Sequence, residues 1–288
     1  MRLVSYQSAA GSRVAVARDG ALVDLNRADP SLPAAIVELL ELGPTGIERA
    51  AAAVAAGKSF PMESVKLLAP VPRPEKVICV GLNYADHARE TGKDPPPEPV
   101  IFCKFVTSVA AHGDPIVLPK SSRKVDYEAE LVVVIGRAGR HIPVEESLAH
   151  VAGYCCGHDV SARDWQTGKP GGQWLLGKSF DGFAPFGPEL VTADELGDSG
   201  NLRVQLRING LTMQDSSTRQ FIFSVAELVA YISGVCTLHT GDVIFTGTPP
   251  GVGFARKPPV FLKPGDVVEV EIERIGVLRN PVVAEQVA

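Results

Sequence analysis

The segment Val125–Ile135 reads Val-Asp-Tyr-Glu-Ala-Glu-Leu-Val-Val-Val-Ile and constrains the fold more than any other stretch of the chain. Side chains on a strand alternate between faces with period two. Glu128 and Glu130 therefore share a face with Val132 and Val134, while Leu131 and Val133 fill the other. A strand that is apolar on both faces asks for cover on both sides. Burying two carboxylates at its head costs several kcal/mol each unless they find partners. Their proximity either raises their pKa values or draws in a cation, and a hard divalent ion is the economical answer. The other reading is an edge strand whose acids face water.

A third carboxylate follows in Gly153-Tyr-Cys-Cys-Gly-His-Asp159-Val-Ser-Ala-Arg163-Asp-Trp-Gln166. Asp159 closes a β-rich run, where it either turns into a cleft or caps a turn opening at Ser161. Three carboxylates without a Cys/His cluster select Mg²⁺ or Mn²⁺ over Zn²⁺. In Val80-Gly-Leu-Asn83-Tyr-Ala-Asp86-His87-Ala-Arg-Glu90-Thr-Gly92, Asn83 can cap a short helix and Gly92 can end it. His87 and Glu90 then stand at i and i+3 on one face. Such a pair is either a general base oriented by a carboxylate or an ordinary surface pair, with Asp86 close enough to compete. Lys178, between Gly177 and the turn at Asp181-Gly182, either reaches a site to hold anionic oxygen or keeps its head in solvent. The loop Thr246–Gly253 can bind a carboxylate through its N–H groups and hydroxyls, or serve as a plain turn. It is no P-loop, because G-K-[ST] is absent, and no G-x-S-x-G elbow occurs anywhere.

The 288 residues suit one large domain with a small one attached. Residues 1–68 read as a small α+β unit, 69–74 as a proline-rich extended linker, and 75–288 as the catalytic domain. Strand signals dominate after Glu75 without strand–helix alternation, which predicts a mostly β, α+β fold. Ser224-Val-Ala-Glu227 is a capping box that opens one helix. A net charge of −5 argues against a nucleic-acid binder, and Lys120–Lys124 reads as a solvated loop. No apolar run reaches the roughly 18 residues a membrane span needs. Five cysteines without C-x-x-C read as reduced thiols, which predicts a cytoplasmic protein.

Taken in order, VGLNYADHARE, YEAELVVVIG, GYCCGHDVSARDWQ, GQWLLGKSFDGFAPFGP and GDVIFTGTPPGVG closely resemble the fumarylacetoacetate hydrolase superfamily. The tail Phe254–Asp266 resembles its domain-containing subgroup. The resemblance implies a mixed β-sandwich roll, assembled as a homodimer. It implies metal ligands at Glu128, Glu130 and Asp159, a catalytic dyad at His87 and Glu90, and an active-site lysine at Lys178. Arg163, Gln166 and Thr248 match its substrate-contacting positions. The implied activity is Mg²⁺- or Mn²⁺-dependent hydrolysis of a C–C bond in a 2,4-dioxo acid, through the metal-bound enolate of a 2-oxo acid. Oxaloacetate decarboxylation or keto–enol tautomerisation is the alternative. Isomerisation or decarboxylation in aromatic catabolism, ureidoglycolate lyase chemistry and non-catalytic dicarboxylate binding stand further off.

Overall fold

The computed structural model describes residues 1–92 and 94–286. Its main sheet runs, in spatial order, through Ser59–Pro61, Ala21–Asp24, Gly11–Arg18, Arg2–Ser8, Ala184–Thr192, Val151–His158, Ala129–Ile135, Val243–Phe245, Val77–Gly81 and Val100–Lys104. Neighbours along this path are antiparallel except Val243–Phe245 beside Val77–Gly81, which makes the sheet mixed. A second sheet orders Leu211–Ser217, Arg203–Ile208, Val267–Ile272, Gly276–Ala284 and Ile116–Leu118. Helices are few, so the molecule is α+β and mostly β, as the strand signals predict. The capping box forms at Ser224 and Glu227, and the helix it opens runs Val225–Val235.

The strand Ala129–Ile135 is buried at every position. Ala129, Leu131, Val133 and Ile135 pack into a core with Val204, Leu206, Val268 and Val270 of the second sheet and Leu228 of the helix. Val132 and Val134 pack into a different core with Leu3, Leu39, Phe186 and Phe245. Each such side chain, once fully buried, stabilises the fold by roughly 1.5–3 kcal/mol. The edge-strand reading therefore fails. Along Ala129–Ile135, the neighbouring strand Val243–Phe245 pairs with Val132–Val134 alone, so the same edge is open beside Ala129.

Two local expectations change. The segment 69–74 is not an extended spacer, because Ala69 and Val71 are buried and Ser5 Oγ donates to the Pro70 carbonyl at 2.7 Å. Leu3 pairs with Leu190, so sheet and core both cross the boundary between 1–68 and 75–288. That division is one of chain order. Asn83 does not cap the following helix. It is fully buried, donates to the Phe223 and Thr246 carbonyls and accepts from the Phe223 N–H, tying three segments together.

At the far end of the main sheet, Asp24 is buried and caps the helical turn Leu25–Ala28 by accepting from Arg27 N–H at 2.7 Å. Tyr6 and Arg13 donate to the same carboxylate. Burial alone would raise its pKa, but Arg13, Tyr6 and the Arg27 N–H outweigh burial and hold it below the usual carboxylate range. A depressed pKa means stability that is present above the unfolded-state value and lost as pH falls through the folded one. Asp24→Asn is expected to cost about 2–3 kcal/mol near neutral pH, where the charged network is intact. Urea unfolding at neutral and at strongly acid pH checks this, since the deficit should shrink once Asp24 itself is protonated.

Candidate active site

The site opens where Val243–Phe245 stops and Ala129–Ile135 loses its neighbour. Glu128 and Glu130 point to one face there. The adjacent strand Val151–His158 ends opposite Ala129, so Asp159 emerges beside Glu128, its N–H donating to the Glu128 carbonyl at 2.9 Å. One carboxylate oxygen from each of Glu128, Glu130 and Asp159 lies within 4.8 Å of the others. All three residues are at most 5% exposed.

Three cations answer this charge unevenly. Lys178, the last residue of the Trp174–Lys178 helix, places Nζ 2.6 Å from Glu128 Oε2 and 2.7 Å from Asp159 Oδ2. Arg163 donates to Glu128 at 2.5 Å and to Asp126 at 2.8 Å. Burial works to raise the Glu128 pKa, but Lys178 and Arg163 overcome it and hold the group far below its ordinary value. Glu130 has less relief, since Lys178 acts on it by charge without a hydrogen bond. Among the described residues its one hydrogen bond comes from Gly247 N–H at 2.8 Å. Burial first, then the Asp159 and Glu128 charges, push its pKa well above the ordinary value. Asp159 Oδ1 is buried without a hydrogen-bond donor, although Lys104 Nζ stands 2.6 Å away out of alignment. An all-oxygen donor set of three converging buried carboxylates, one of them with little compensating charge, fits a hard divalent cation such as Mg²⁺ or Mn²⁺.

Across the cavity lies the helix Ala85–Thr91, ended by Gly92 in the left-handed conformation. His87 Nδ1 is 2.9 Å from Glu90 Oε2, and Glu90 Oε1 accepts from Gly251 N–H at 2.8 Å. Burial works to raise the Glu90 pKa, but His87 and Gly251 outweigh it, so Glu90 stays a carboxylate that can hold the Nδ1 proton. Nε2 is then the ring nitrogen left for chemistry. Asp86 does not compete, since it accepts from Ser216 Oγ and from the His87 backbone N–H.

One cavity of about 350 Å³ is lined by all nine residues singled out from the sequence: His87, Glu90, Glu128, Glu130, Asp159, Arg163, Gln166, Lys178 and Thr248. Arg163 donates to Gln166 Oε1 at 2.9 Å, which leaves the Gln166 NH₂ free to donate. Phe102 and Trp174, ring centroids 5.4 Å apart, form an apolar wall. The loop after Thr246 acts differently from expectation. Its Gly247 N–H binds the protein's own Glu130, and Thr248 is among the residues after it that line the cavity.

Two buried residues escaped the sequence reading. Asp126 accepts from Arg163 Nε and from the N–H groups of Gly253 and Phe254, so it sets both the arginine and the loop beneath it. Its signal was present, because Asp126, Glu128 and Glu130 continue one period-two series. Lys104 donates to the Val160 and Phe183 carbonyls beside Asp159. A lone lysine inside the apolar run Val100–Phe105 was its only mark.

The family model described as fumarylacetoacetate (FAA) hydrolase C-terminal matches residues 76–283. The chain is 50% identical over 288 residues to oxaloacetate tautomerase FAHD2A, mitochondrial, of Bos taurus, covering 98% of this chain and 92% of that protein. The fumarylacetoacetate hydrolase of psychrophilic Exiguobacterium antarcticum superposes with a TM-score of 0.85 at 36% identity, covering 99% of this chain and all of that one. Maleylpyruvate hydrolase of Sphingobium sp. SYK-6, solved with manganese(II) ion and pyruvate, gives 0.85 at 30% identity with 99% and 100% coverage. The mitochondrial relative overturns the cytoplasmic placement. Cysteines without a C-x-x-C pattern do not single out one compartment. By family model, by identity along nearly its whole length and by fold, the chain belongs to the fumarylacetoacetate hydrolase superfamily, in the subgroup of fumarylacetoacetate hydrolase domain-containing proteins.

Proposed function

We propose that this protein is a divalent-metal-dependent oxaloacetate tautomerase, interconverting the keto and enol forms of that 2-oxo acid. The observation that carries the choice is 50% identity to the bovine oxaloacetate tautomerase over 288 residues, against 30% for the maleylpyruvate hydrolase. In this reading Glu128, Glu130 and Asp159 hold the metal. When bound, Mg²⁺ or Mn²⁺ supplies Lewis-acid polarisation of the substrate's oxo and carboxylate oxygens. Lys178 has two of its three N–H groups on Glu128 and Asp159, and the third is available to negative charge growing on the C2 oxygen. The Gln166 amide and the Thr248 hydroxyl bind and orient the carboxylate. His87 takes the C3 proton at Nε2, and Glu90 holds the opposite side of the ring. Return of that proton to oxygen completes the exchange with no net loss of atoms. The helix Ala85–Thr91, latched by Glu90 to Gly251 and by Asp86 to Ser216, keeps bulk water from the site.

Hydrolysis of a C–C bond in a 2,4-dioxo acid is the second reading. The same dyad can activate a water, and the wall of Phe102 and Trp174 leaves room for a longer acyl chain. Parallel assays with enol-enriched oxaloacetate and with acetylpyruvate separate the two. Oxaloacetate tautomerisation is expected to dominate, to vanish with EDTA and to return with Mn²⁺. Turnover that survives chelation sinks the metal-dependent reading. His87→Ala is expected to lower kcat about 10²-fold or more while Mn²⁺ binding, followed by EPR, stays unchanged. A full-rate His87→Ala protein removes the histidine from the proton transfer.

The homodimer belongs to the same proposal. Val100–Lys104 is the outer edge of the main sheet, and Ile101, Tyr231 and Val235 expose apolar surface around one groove beside it. An open apolar edge is suited to pairing with a second copy. Light scattering is expected to give twice the chain mass, and Val235→Glu to shift it toward the monomer. A wild-type monomer sinks the dimer.

A further inference from the structure

We infer that Gln214 is a positioning residue of this site: its carboxamide completes the open strand edge between Glu128 and Glu130 and forces the Thr248 hydroxyl to donate into the cavity. Gln214 sits on Leu211–Ser217 of the second sheet and is 1% exposed. Its Oε1 accepts from the Ala129 N–H at 2.8 Å. That donor lies on the edge where Val243–Phe245 has already ended, so without Gln214 it would be a buried N–H with no partner. The side chain thus stands in for a missing strand, at the one residue between two of the three acids.

The amide nitrogen does the second task. It donates to Thr248 Oγ1 at 2.8 Å and to the Pro249 carbonyl at 2.8 Å. Ala129 can only donate and Pro249 can only accept, so the orientation of the amide has one solution. A hydroxyl has one proton to give. With Gln214 donating to Oγ1, that proton points elsewhere, and Thr248 borders the cavity. The hydroxyl is thereby turned into a donor for substrate oxygen. The backbone here is equally close. A Cβ on Gly251, at φ +103°, would lie 2.2 Å from the Met213 carbonyl. Arg256 clamps the same contact, donating to the Gly251 and Met213 carbonyls. Gly251 N–H in turn binds Glu90. Metal strand, substrate loop and proton dyad thus meet at residues 213 and 214.

This inference rests on the proposed 2-oxo acid reading. The experiment is a double-mutant cycle of Gln214→Met and Thr248→Val in the Mn²⁺-loaded protein. It is read as the Kd for pyruvate by calorimetry and as kcat and KM with oxaloacetate. Each single change is expected to weaken pyruvate about tenfold and to raise KM more than it lowers kcat, and the double variant to be at most about twofold worse than either. Losses that multiply mean that Gln214 does not act through Thr248, and they overturn the inference. An EPR titration reads the strand edge without turnover: Mn²⁺ affinity falls in Gln214→Met and holds in Thr248→Val. Mn²⁺ affinity unchanged in Gln214→Met overturns that half. Should circular dichroism show Gln214→Met unfolded, Gln214→Glu replaces it. That variant still accepts from Ala129 but cannot donate to Thr248, so pyruvate binding falls, and unchanged pyruvate binding overturns the inference. Wild-type protein that neither binds pyruvate nor turns over oxaloacetate sinks the functional reading. Wild-type protein that does both, beside an unaltered Gln214→Met, sinks this inference alone.

Discussion

Three carboxylates held almost out of reach of water, within 4.8 Å of one another, set the terms for everything around them. Ions buried without partners carry a penalty of several kcal/mol each. Lys178 and Arg163 relieve Glu128, Lys104 stands against Asp159, and among the described residues Glu130 accepts one hydrogen bond, from a backbone N–H. The imbalance falls at the point where all three acids converge. A hard divalent ion would answer it.

The strand that carries the acids is also the centre of the fold. Its alternate side chains enter two separate cores, which fixes its direction and register. A slip of one residue would turn Glu128 and Glu130 away from the cavity and put Ala129 and Leu131 in their place. The partner strand Val243–Phe245 covers only three of its residues. The uncovered length is where chemistry can be built, and it leaves a buried Ala129 N–H that the second sheet must satisfy through Gln214. Stability and site geometry are therefore set by the same few hydrogen bonds, and an oxygen-lined cavity can keep its shape with apolar packing on both sides.

The chain order of residues was enough for some conclusions and not for others. Period two along Val125–Ile135 put Glu128 and Glu130 on one face and demanded cover on both sides, because alternation is a property of the extended backbone itself. Spacing on a short helix likewise put His87 beside Glu90. Asn83 and the loop at Gly247 were misread, since each had a plausible local task and took a distant one instead. The proline-rich stretch 69–74 looked like a spacer because proline stiffness is local information, while the neighbours that bury Val71 are not.

By itself the sequence determined the strand-rich class, the faces of the acid-bearing strand and, through its ordered motifs, the family. Only the tertiary structure decided that Asp159 joins Glu128 and Glu130, that Glu90 rather than Asp86 holds His87, and that Asp126, Lys104 and Gln214 contact the residues around the cavity. The physical reason is range. Backbone periodicity acts over a few residues, whereas the charge balance and the hydrogen-bond polarity of this cavity are set by groups up to 161 positions apart, as in the contact of Glu90 with Gly251.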